Sequence, residues 1–348
     1  TSSLAAFEAG YARAEWLRSQ VATAGAGSNA GSSASASASA SASADGAVSS
    51  PPGHGPALAG LVEEARALLP PVLHATAVHA LKRLADYQDV AYGAEYLARL
   101  RPFVARHLEG PDDPGGQPGA WLDELMRHLA LWMTYEDTIR VADLKTRPAR
   151  LQRVAREVGL QSGQVMEIDE FLHPRVEEIA DVLPAGLGRR VLASGLARGV
   201  VARLAGSGRI LRTTSLRGYL QLFAVSRLRR WRRASLRHQR ETAGIDAWLA
   251  RVADLLEDDP ALALELIRNQ RLIKGYSDTH ARGSRHFTQL MDALAALRAR
   301  AGAASAMREL REAALADESG ERLATLLVTL TGQSPPPQSS NPQGPRRS

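Results

Sequence analysis

Apolar residues spaced three and four apart run through most of this 348-residue chain. From about residue 56 to residue 330 this spacing recurs at the period of one face of an α-helix. Proline pairs and loops rich in Pro and Gly, such as residues 111–116, separate the helical runs, two of which span residues 78–100 and 121–141. Residues 164–168 and 206–212 have the character of short strands. The pattern therefore predicts a mainly α, multi-helix globular domain with one or two short strands.

The chain contains no cysteine, which limits the chemistry that it can carry by itself. Disulfides, a cysteine nucleophile and cysteine-ligated zinc or iron–sulfur centres are excluded for this chain. It also has no His-Glu-x-x-His pattern, no P-loop, and no Gly-Asp-Gly segment of the kind that holds thiamine diphosphate through magnesium. The sequence predicts no metal site, and we assign no residue a catalytic role. No apolar run approaches the ~18–20 residues of a membrane span, so we expect no membrane partner.

Composition divides the chain into four parts. Residues 1–22 carry one apolar helical stripe that needs a body to pack on, and we expect that body to lie upstream. Because the chain opens at Thr1 directly into this pattern, we interpret it as a piece of a longer protein. Residues 23–58 are a linker rich in Gly, Ala and Ser that is predicted to be disordered. Residues 59–332 form the helical domain, and residues 333–348 form a tail predicted to be disordered.

Two stretches on predicted helices combine acidic and aromatic side chains. Lys82 lies four residues before Asp86, and Glu136 lies four residues before Arg140. Each stretch is either a solvated ladder of ion pairs or a polar face that binds a ligand or docks a partner. The candidate interface residues are Asp86, Tyr87, Asp89, Tyr135 and Glu136.

Residues 227–240 are predicted to form one strongly basic helix. Four arginines would share one side of it: Arg229, Arg233, Arg237 and Arg240. We add the first two to the candidate interface. Three interpretations stay open: a solvated face, a patch for an acidic partner, or phosphate contacts to nucleic acid. Nucleic acid is disfavoured because no binding motif and few aromatic residues accompany the arginines.

Residues 271–283 are the one place where glycine and varied polar chemistry coincide. We predict a loop whose two glycines let the backbone approach a ligand closely. Its basic residues and His280 would donate to an anion. The alternative is an ordinary interhelical loop, in which Gly275 ends one helix and Ser284 caps the next. The candidate ligand-binding residues are Lys274, Gly275, Tyr276, Asp278, His280, Arg282 and Gly283.

Five segments, taken together and in order, resemble the C-terminal region of the indolepyruvate ferredoxin oxidoreductase beta-subunit family. They are residues 83–92, 133–145, 171–178, 228–232 and 270–283, and the resemblance extends from about residue 59 to about residue 325. Residues 3–11 resemble the last helix of the gamma-type oxidoreductase domain that precedes this region in such proteins. The first 22 residues would accordingly be the end of a truncated gamma-type domain.

The resemblance implies part of a cytoplasmic enzyme of aromatic amino acid catabolism. Such an oxidoreductase acts on the oxo group of indolepyruvate or another arylpyruvate, decarboxylates it to an acyl-CoA, and passes electrons to ferredoxin. Its cofactors are thiamine diphosphate, magnesium, iron–sulfur clusters and CoA, and its partners are a thiamine-diphosphate-binding alpha subunit and ferredoxin.

Because this chain lacks cysteine and the cofactor motif, the resemblance implies a segment that is inactive alone. It would assemble the complex, or contribute to a shared site that meets a 2-oxo acid carboxylate or a CoA phosphate. The alternative is a non-catalytic module that docks acidic partners through residues 227–240.

Overall fold

The computed structural model describes residues 55–109, 119–161, 163–172, 175–205, 209–275, 277–317 and 319–332. The predicted segments 1–22 and 333–348, and nearly all of the predicted linker, lie outside these residues. All described residues belong to one unit, Gly46–Ser348. The first described helix starts at Gly55, inside the predicted linker.

The described residues form fifteen α-helices, which confirms the predicted mainly α fold. In chain order they are α1 (Gly55–Leu68), α2 (His74–Tyr87), α3 (Val90–Glu109), α4 (Ala120–Met133), α5 (Thr138–Thr146), α6 (Pro148–Glu157), α7 (Val176–Val182), α8 (Ala185–Ala193), α9 (Gly195–Ala205), α10 (Leu216–Arg227), α11 (Leu236–Asp258), α12 (Pro260–Arg268), α13 (Ser277–Arg298), α14 (Ala303–Ala316) and α15 (Glu321–Thr331). Three 3₁₀ helices connect neighbouring α-helices among the described residues: Pro71–Leu73, Leu228–Ala234 and Asn269–Leu272. Within the part of the chain that the structure describes, no helix combines the length and the apolar character that crossing a bilayer requires.

The only sheet among the described residues has two short strands, β1 (Asp169–Leu172) and β2 (Arg209–Arg212). They pair antiparallel, with Asp169 opposite Arg212. β1 begins immediately after the stretch predicted to be extended, and β2 lies within the second predicted stretch. The sequence pattern therefore located β2, whereas the first predicted strand ends one residue before β1 begins.

The two ends of the described chain build one shared hydrophobic core. Its buried residues fall between Leu58 and Met133 or between Ile245 and Leu327. Helix α4 joins the two groups, since it packs against α2, α3, α11 and α12. At its end the Trp132 ring lies 5.4 Å from the Trp248 ring and 5.2 Å from the Phe287 ring. Large aromatic contacts of this kind dominate core energetics.

Residues 134–244, which we call the middle segment, contribute nothing to this core among the described residues. The middle segment buries only a few apolar side chains of its own. These are Tyr135, Ile139, Ala142, Ala180, Val191, Leu222 and Leu236. The segment leaves the core after α4 and returns beside it: a Cβ at Gly244 would lie 3.2 Å from the Trp132 ring.

Helices that the apolar pattern predicted as continuous are broken where a short polar side chain caps a new helix. The predicted helix over residues 78–100 breaks at Asp89, whose carboxylate accepts from the Tyr92 amide at 2.8 Å. The helix predicted over 121–141 breaks before Asp137, which caps α5. Such caps satisfy amides that have no partner inside the helix.

Residues 227–240 are not one helix, contrary to the prediction. Helix α10 ends at Arg227, a 3₁₀ helix follows, and Ser235 caps α11 by accepting from the His238 amide at 3.2 Å. The arginines that were expected to share one helical side therefore lie on two elements of different geometry.

The predicted loop at residues 271–283 is mostly helix. Helix α13 begins at Ser277, so Asp278, His280, Arg282 and Gly283 are helical, and Ser284 lies within the helix rather than capping it. Gly275 has φ of 78°, the left-handed conformation expected of it. Gly283 does allow a close backbone approach, but the group that approaches is the Leu272 carbonyl oxygen, which a Cβ would overlap.

We expect Gly283→Ala to destabilise the protein by at least about 1–3 kcal/mol, because the added methyl group meets backbone that cannot move aside cheaply. Gly199→Ala on α9 is the matched control, since nothing lies within 4 Å of its Cβ position. There we expect a gain of about 0.5–1 kcal/mol from alanine's better helix propensity. Urea unfolding measures both changes, and equal stabilities for the two variants would contradict this packing role of Gly283.

Candidate functional site

A single arginine, Arg232, lies at the centre of the contact between the middle segment and the core. It is 1% exposed. Its guanidinium makes two hydrogen bonds to the Asp137 carboxylate, Nε to Oδ2 at 2.8 Å and Nη2 to Oδ1 at 3.1 Å. Nη1 donates to the Tyr87 carbonyl oxygen at 2.9 Å, and the guanidinium carbon lies 4.2 Å from the centre of the Tyr87 ring. We call the group around Arg232 the junction.

The candidate interface residues around Arg232 contact one another inside the chain. Arg229 donates through Nε to the Gln88 backbone carbonyl oxygen at 2.9 Å. The side-chain amide of Gln88 donates through Nε2 to the Arg229 carbonyl oxygen at 3.2 Å. Arg233 forms ion pairs with Asp89 at 3.3 Å and with Glu95 at 2.9 Å. Arg229, Arg233 and Asp89 thus hold the middle segment against the ends of α2 and α3.

Asp86 extends the junction toward α5. It forms ion pairs with Arg140 at 2.8 Å and with Arg147 at 3.1 Å, and both arginines also pair with Asp143. Burial works to raise the pKa of Asp86, but the Arg140 and Arg147 guanidiniums outweigh it and lower that pKa. The predicted pairs of Asp86 with Lys82 and of Glu136 with Arg140 are replaced by these longer-range contacts.

Tyr87 and Tyr135 fill the space beneath the charged groups. Their rings meet edge to face, with centres 5.7 Å apart. The Tyr135 hydroxyl lies 3.3 Å from Nδ1 of His238. Burial raises the pKa of both tyrosines well above the ordinary value, so both stay neutral at physiological pH. Glu136, by contrast, is exposed.

A cleft of about 230 Å³ lies beside the junction, among the start of α5, α7, α11 and α13. Asp181 and Arg237 lie on its wall, and the Asp181 carboxylate accepts from Arg240 at 2.8 Å. Arg237 pairs with Glu241 at 2.7 Å and approaches Asp181 at 3.5 Å. The residues lining the cleft are Glu136, Asp137, Thr138, Arg175, Glu177, Glu178, Asp181, Val182, Arg237, His280 and Ala281.

Among the described residues, His280 is the one predicted ligand-binding residue that lines this cleft. Its Nε2 accepts from Nη2 of Arg237 at 2.8 Å, and the Ser284 hydroxyl lies 3.1 Å away. Burial and the Arg237 charge lower the pKa of His280 to about 4. The imidazole is therefore neutral at pH 7 and offers no positive charge to an anion.

The cleft does not collect the other predicted anion donors. Lys274 is exposed in the turn before α13, and Arg282 is half-buried on that helix; neither lines the cleft. Tyr276 lies outside the described residues. Carboxylates outnumber arginines along the lining, five to two. Anion binding by Lys274, His280 and Arg282 together stays a prediction. In it, His280 can act only as a neutral imidazole.

Arg232 and Asp137 are central to the junction, yet sequence reasoning named neither as a candidate. One signal in the sequence points to them. No aspartate or glutamate occurs between Asp181 and Glu241, whereas fourteen arginines do. A buried arginine from such a stretch has to find its carboxylate elsewhere in the chain. Asp137 and Asp89 are partners of this kind, for Arg232 and Arg233 respectively.

The chain belongs to a family described as "Family of unknown function (DUF6537)", which matches residues 73–293. That range contains the junction, the cleft and the whole middle segment. Comparison with curated proteins and with solved structures gives no match.

Arg232→Met should destabilise the protein by about 3–5 kcal/mol, because it leaves the Asp137 carboxylate buried without its partner. Arg230→Met, two residues away and exposed, is the matched control and should change stability by less than about 0.5 kcal/mol. Urea unfolding monitored by circular dichroism compares the two. A loss no larger than that of the control would show that Arg232 does not hold the junction.

His280 should make stability fall as the solution is acidified. Its pKa is about 4 in the folded chain and near 6.5 when unfolded, so between these values the unfolded state binds a proton that the folded state does not. The free energy of unfolding should drop by up to about 3 kcal/mol from pH 7 to pH 4 on this account. His280→Gln removes this titrating group, so the free energy of unfolding of the variant should fall less over that pH range.

The comparison is made as the difference between wild type and His280→Gln at each pH. This matters because Glu241 and Asp181 have pKa values raised by burial, which favour the folded state on acidification in both proteins. His79→Gln, at an exposed histidine of α2, is the control. Parallel curves for wild type and His280→Gln would contradict the assignment.

Proposed function

We propose that this chain is the C-terminal part of a subunit of a 2-oxoacid ferredoxin oxidoreductase that acts on indolepyruvate or another arylpyruvate. The whole enzyme would be a cytoplasmic complex with a thiamine-diphosphate-binding alpha subunit, and ferredoxin would accept its electrons. This helical part would assemble the complex or contribute to a shared site, and would be inactive alone.

One observation carries the proposal. The five segments that resemble the oxidoreductase family are scattered along the sequence, yet they converge in the fold. Residues 83–92, 133–145 and 228–232 meet at the junction. Residues 171–178 and 270–283 place Arg175 and His280 in the cleft beside it. Convergence of this kind is expected when separate segments serve one surface, and it supports treating the resemblance as a single feature.

The chain's own residues do not fit the cofactors of such an enzyme. It has no cysteine for an iron–sulfur cluster. The cleft carboxylates Asp137 and Asp181 are already engaged by arginines, which leaves them poorly suited to hold magnesium and a diphosphate. In this proposal thiamine diphosphate, magnesium, the clusters and CoA are held by other parts of the complex, and this chain performs no chemical step alone.

A second candidate is a non-catalytic module that docks acidic partners. The acid-free stretch between Asp181 and Glu241 favours it, because its arginines outnumber the carboxylates within reach. The surface proposed from the sequence needs revision, however. Arg229 and Arg233 bind groups of the chain itself, so docking would fall to arginines that lack such partners.

The proposal is tested with the complete subunit co-expressed with its alpha subunit. We expect a stable complex on size-exclusion chromatography that reduces ferredoxin when indolepyruvate and CoA are supplied. Deleting residues 55–332 should abolish assembly or this activity. A complex whose ferredoxin reduction needs no arylpyruvate, or an intact activity after the deletion, would refute the proposed function.

The shared-site version makes a narrower prediction in the same complex. Lys274→Ala and His280→Ala should raise KM for the oxo acid or for CoA, with His79→Ala as the control. Unchanged kinetics in a normally folded complex would remove these residues from the site and leave the assembly role.

A further inference from the structure

Exposed apolar side chains concentrate on the part of the molecule that has no share in the core. Most large apolar residues that face solvent among the described residues belong to the middle segment. They include Val158, Leu160, Val165, Leu187, Leu196, Val200, Leu216, Leu220, Phe223 and Trp231. Concentrations of this kind mark interaction surfaces more often than single exposed leucines do.

Helix α10 shows the arrangement most clearly. Leu216, Leu220 and Phe223 are 76%, 51% and 43% exposed. Spacings of four and three place them on one side of the helix, and we call them the α10 stripe. Gly218 and Leu222 lie on the opposite side and are buried. A Cβ at Gly218 would overlap the Arg212 carbonyl oxygen, and the helix as a whole packs against α5. The helix is therefore fixed on the protein by its inner face and presents an apolar outer face.

Exposed arginines accompany the α10 stripe along the chain. Arg227 continues it by one more helical step, with its guanidinium carbon 5.8 Å from the centre of the Phe223 ring. Arg217 and Arg230 are exposed nearby along the chain. Among the described residues, none of these three arginines forms an ion pair with a carboxylate. Residues 134–244 hold 21 arginines and lysines against 11 aspartates and glutamates.

This combination selects among possible occupants. A second copy of the chain would bring Arg217 and Arg227 against their own equivalents, and like charges in contact disfavour pairing. Nucleic acid would neutralise the arginines but would leave Leu216 and Leu220 uncovered. A membrane would have to take up Arg227, which lies in line with the apolar residues, at a cost that deep insertion makes large. A protein can cover the apolar residues and supply carboxylates at the same time.

We propose that the α10 stripe docks an amphipathic, acidic segment of a partner protein, with apolar side chains on Leu216, Leu220 and Phe223 and carboxylates on Arg217 and Arg227. Such a segment would lie against the outer face of α10 as a helix does in an apolar groove. The inference rests on the chain working in a complex, as proposed above, but not on the chemistry of that complex.

The first test uses the full chain and a synthetic helical peptide with leucines on one face and glutamates on its flanks. A second peptide replaces every glutamate with lysine. We expect the glutamate peptide to bind and the lysine peptide not to bind, and we expect added salt to weaken binding. Leu220→Asp and Arg227→Glu should each lower the affinity at least about tenfold. Leu108→Asp, at an exposed leucine of α3, should leave it unchanged.

Other occupants give different results in the same assay. Equal binding of both peptides, tighter binding to phosphatidylserine vesicles or to a DNA duplex, or self-association that Leu220→Asp abolishes would each overturn the inference. Unfolding curves confirm that the exposed-site variants fold.

The oxidoreductase complex separates the two proposals. If it forms and turns over normally with Leu220→Asp, the docking surface is wrong and the proposed function stands. If no such complex exists but the glutamate peptide binds the wild type alone, the docking surface stands without it.

Discussion

The buried ion pair between Arg232 and Asp137 is the interaction on which the arrangement of this molecule depends. Burying both charges is costly, and the Coulomb attraction together with the bond to the Tyr87 carbonyl offsets that cost only because the geometry is close to ideal. Such a pair adds little net stability, but it restricts how the segments that carry the two residues can be placed relative to one another. It fixes the end of α2, the start of α5 and the 3₁₀ helix before α11 in one relative position.

The two parts of the chain are therefore held by different kinds of interaction. The ends of the described chain share a conventional apolar core around α4. The middle segment has no place in that core and is attached mainly through guanidinium groups to carboxylates and carbonyl oxygens, with the Tyr135 ring packed on Tyr87 beneath them. An attachment made of polar contacts leaves the segment's apolar residues free to face outward. This explains how a chain with an ordinary composition presents an apolar helix face framed by arginine.

The sequence predicted the fold class because helical periodicity records burial on one side of a helix, and that holds for nearly every element. It failed at helix ends, since the apolar period continues across Asp89 and Asp137 while their side chains cap new helices. It also mistook the start of α13 for a loop, because Gly283 serves close packing rather than a turn. The candidate interface residues other than Glu136 contact groups of the same chain. Pairings across some hundred and forty residues cannot be read from one sequence.

The contact between Gly244 and the Trp132 ring means that the chain departs from and rejoins the core at one point. With respect to the core, the whole middle segment is one long loop whose two ends lie next to each other. The entropy of closing a loop grows only slowly with its length, by about 0.6 kcal/mol for each doubling. The core is thus little affected by the residues on the outward surfaces of the middle segment. Substitutions, insertions or a changed outline on the outward surfaces of α9 and α10 can accumulate without repacking α4, so the fold can acquire new partners while its interior stays the same.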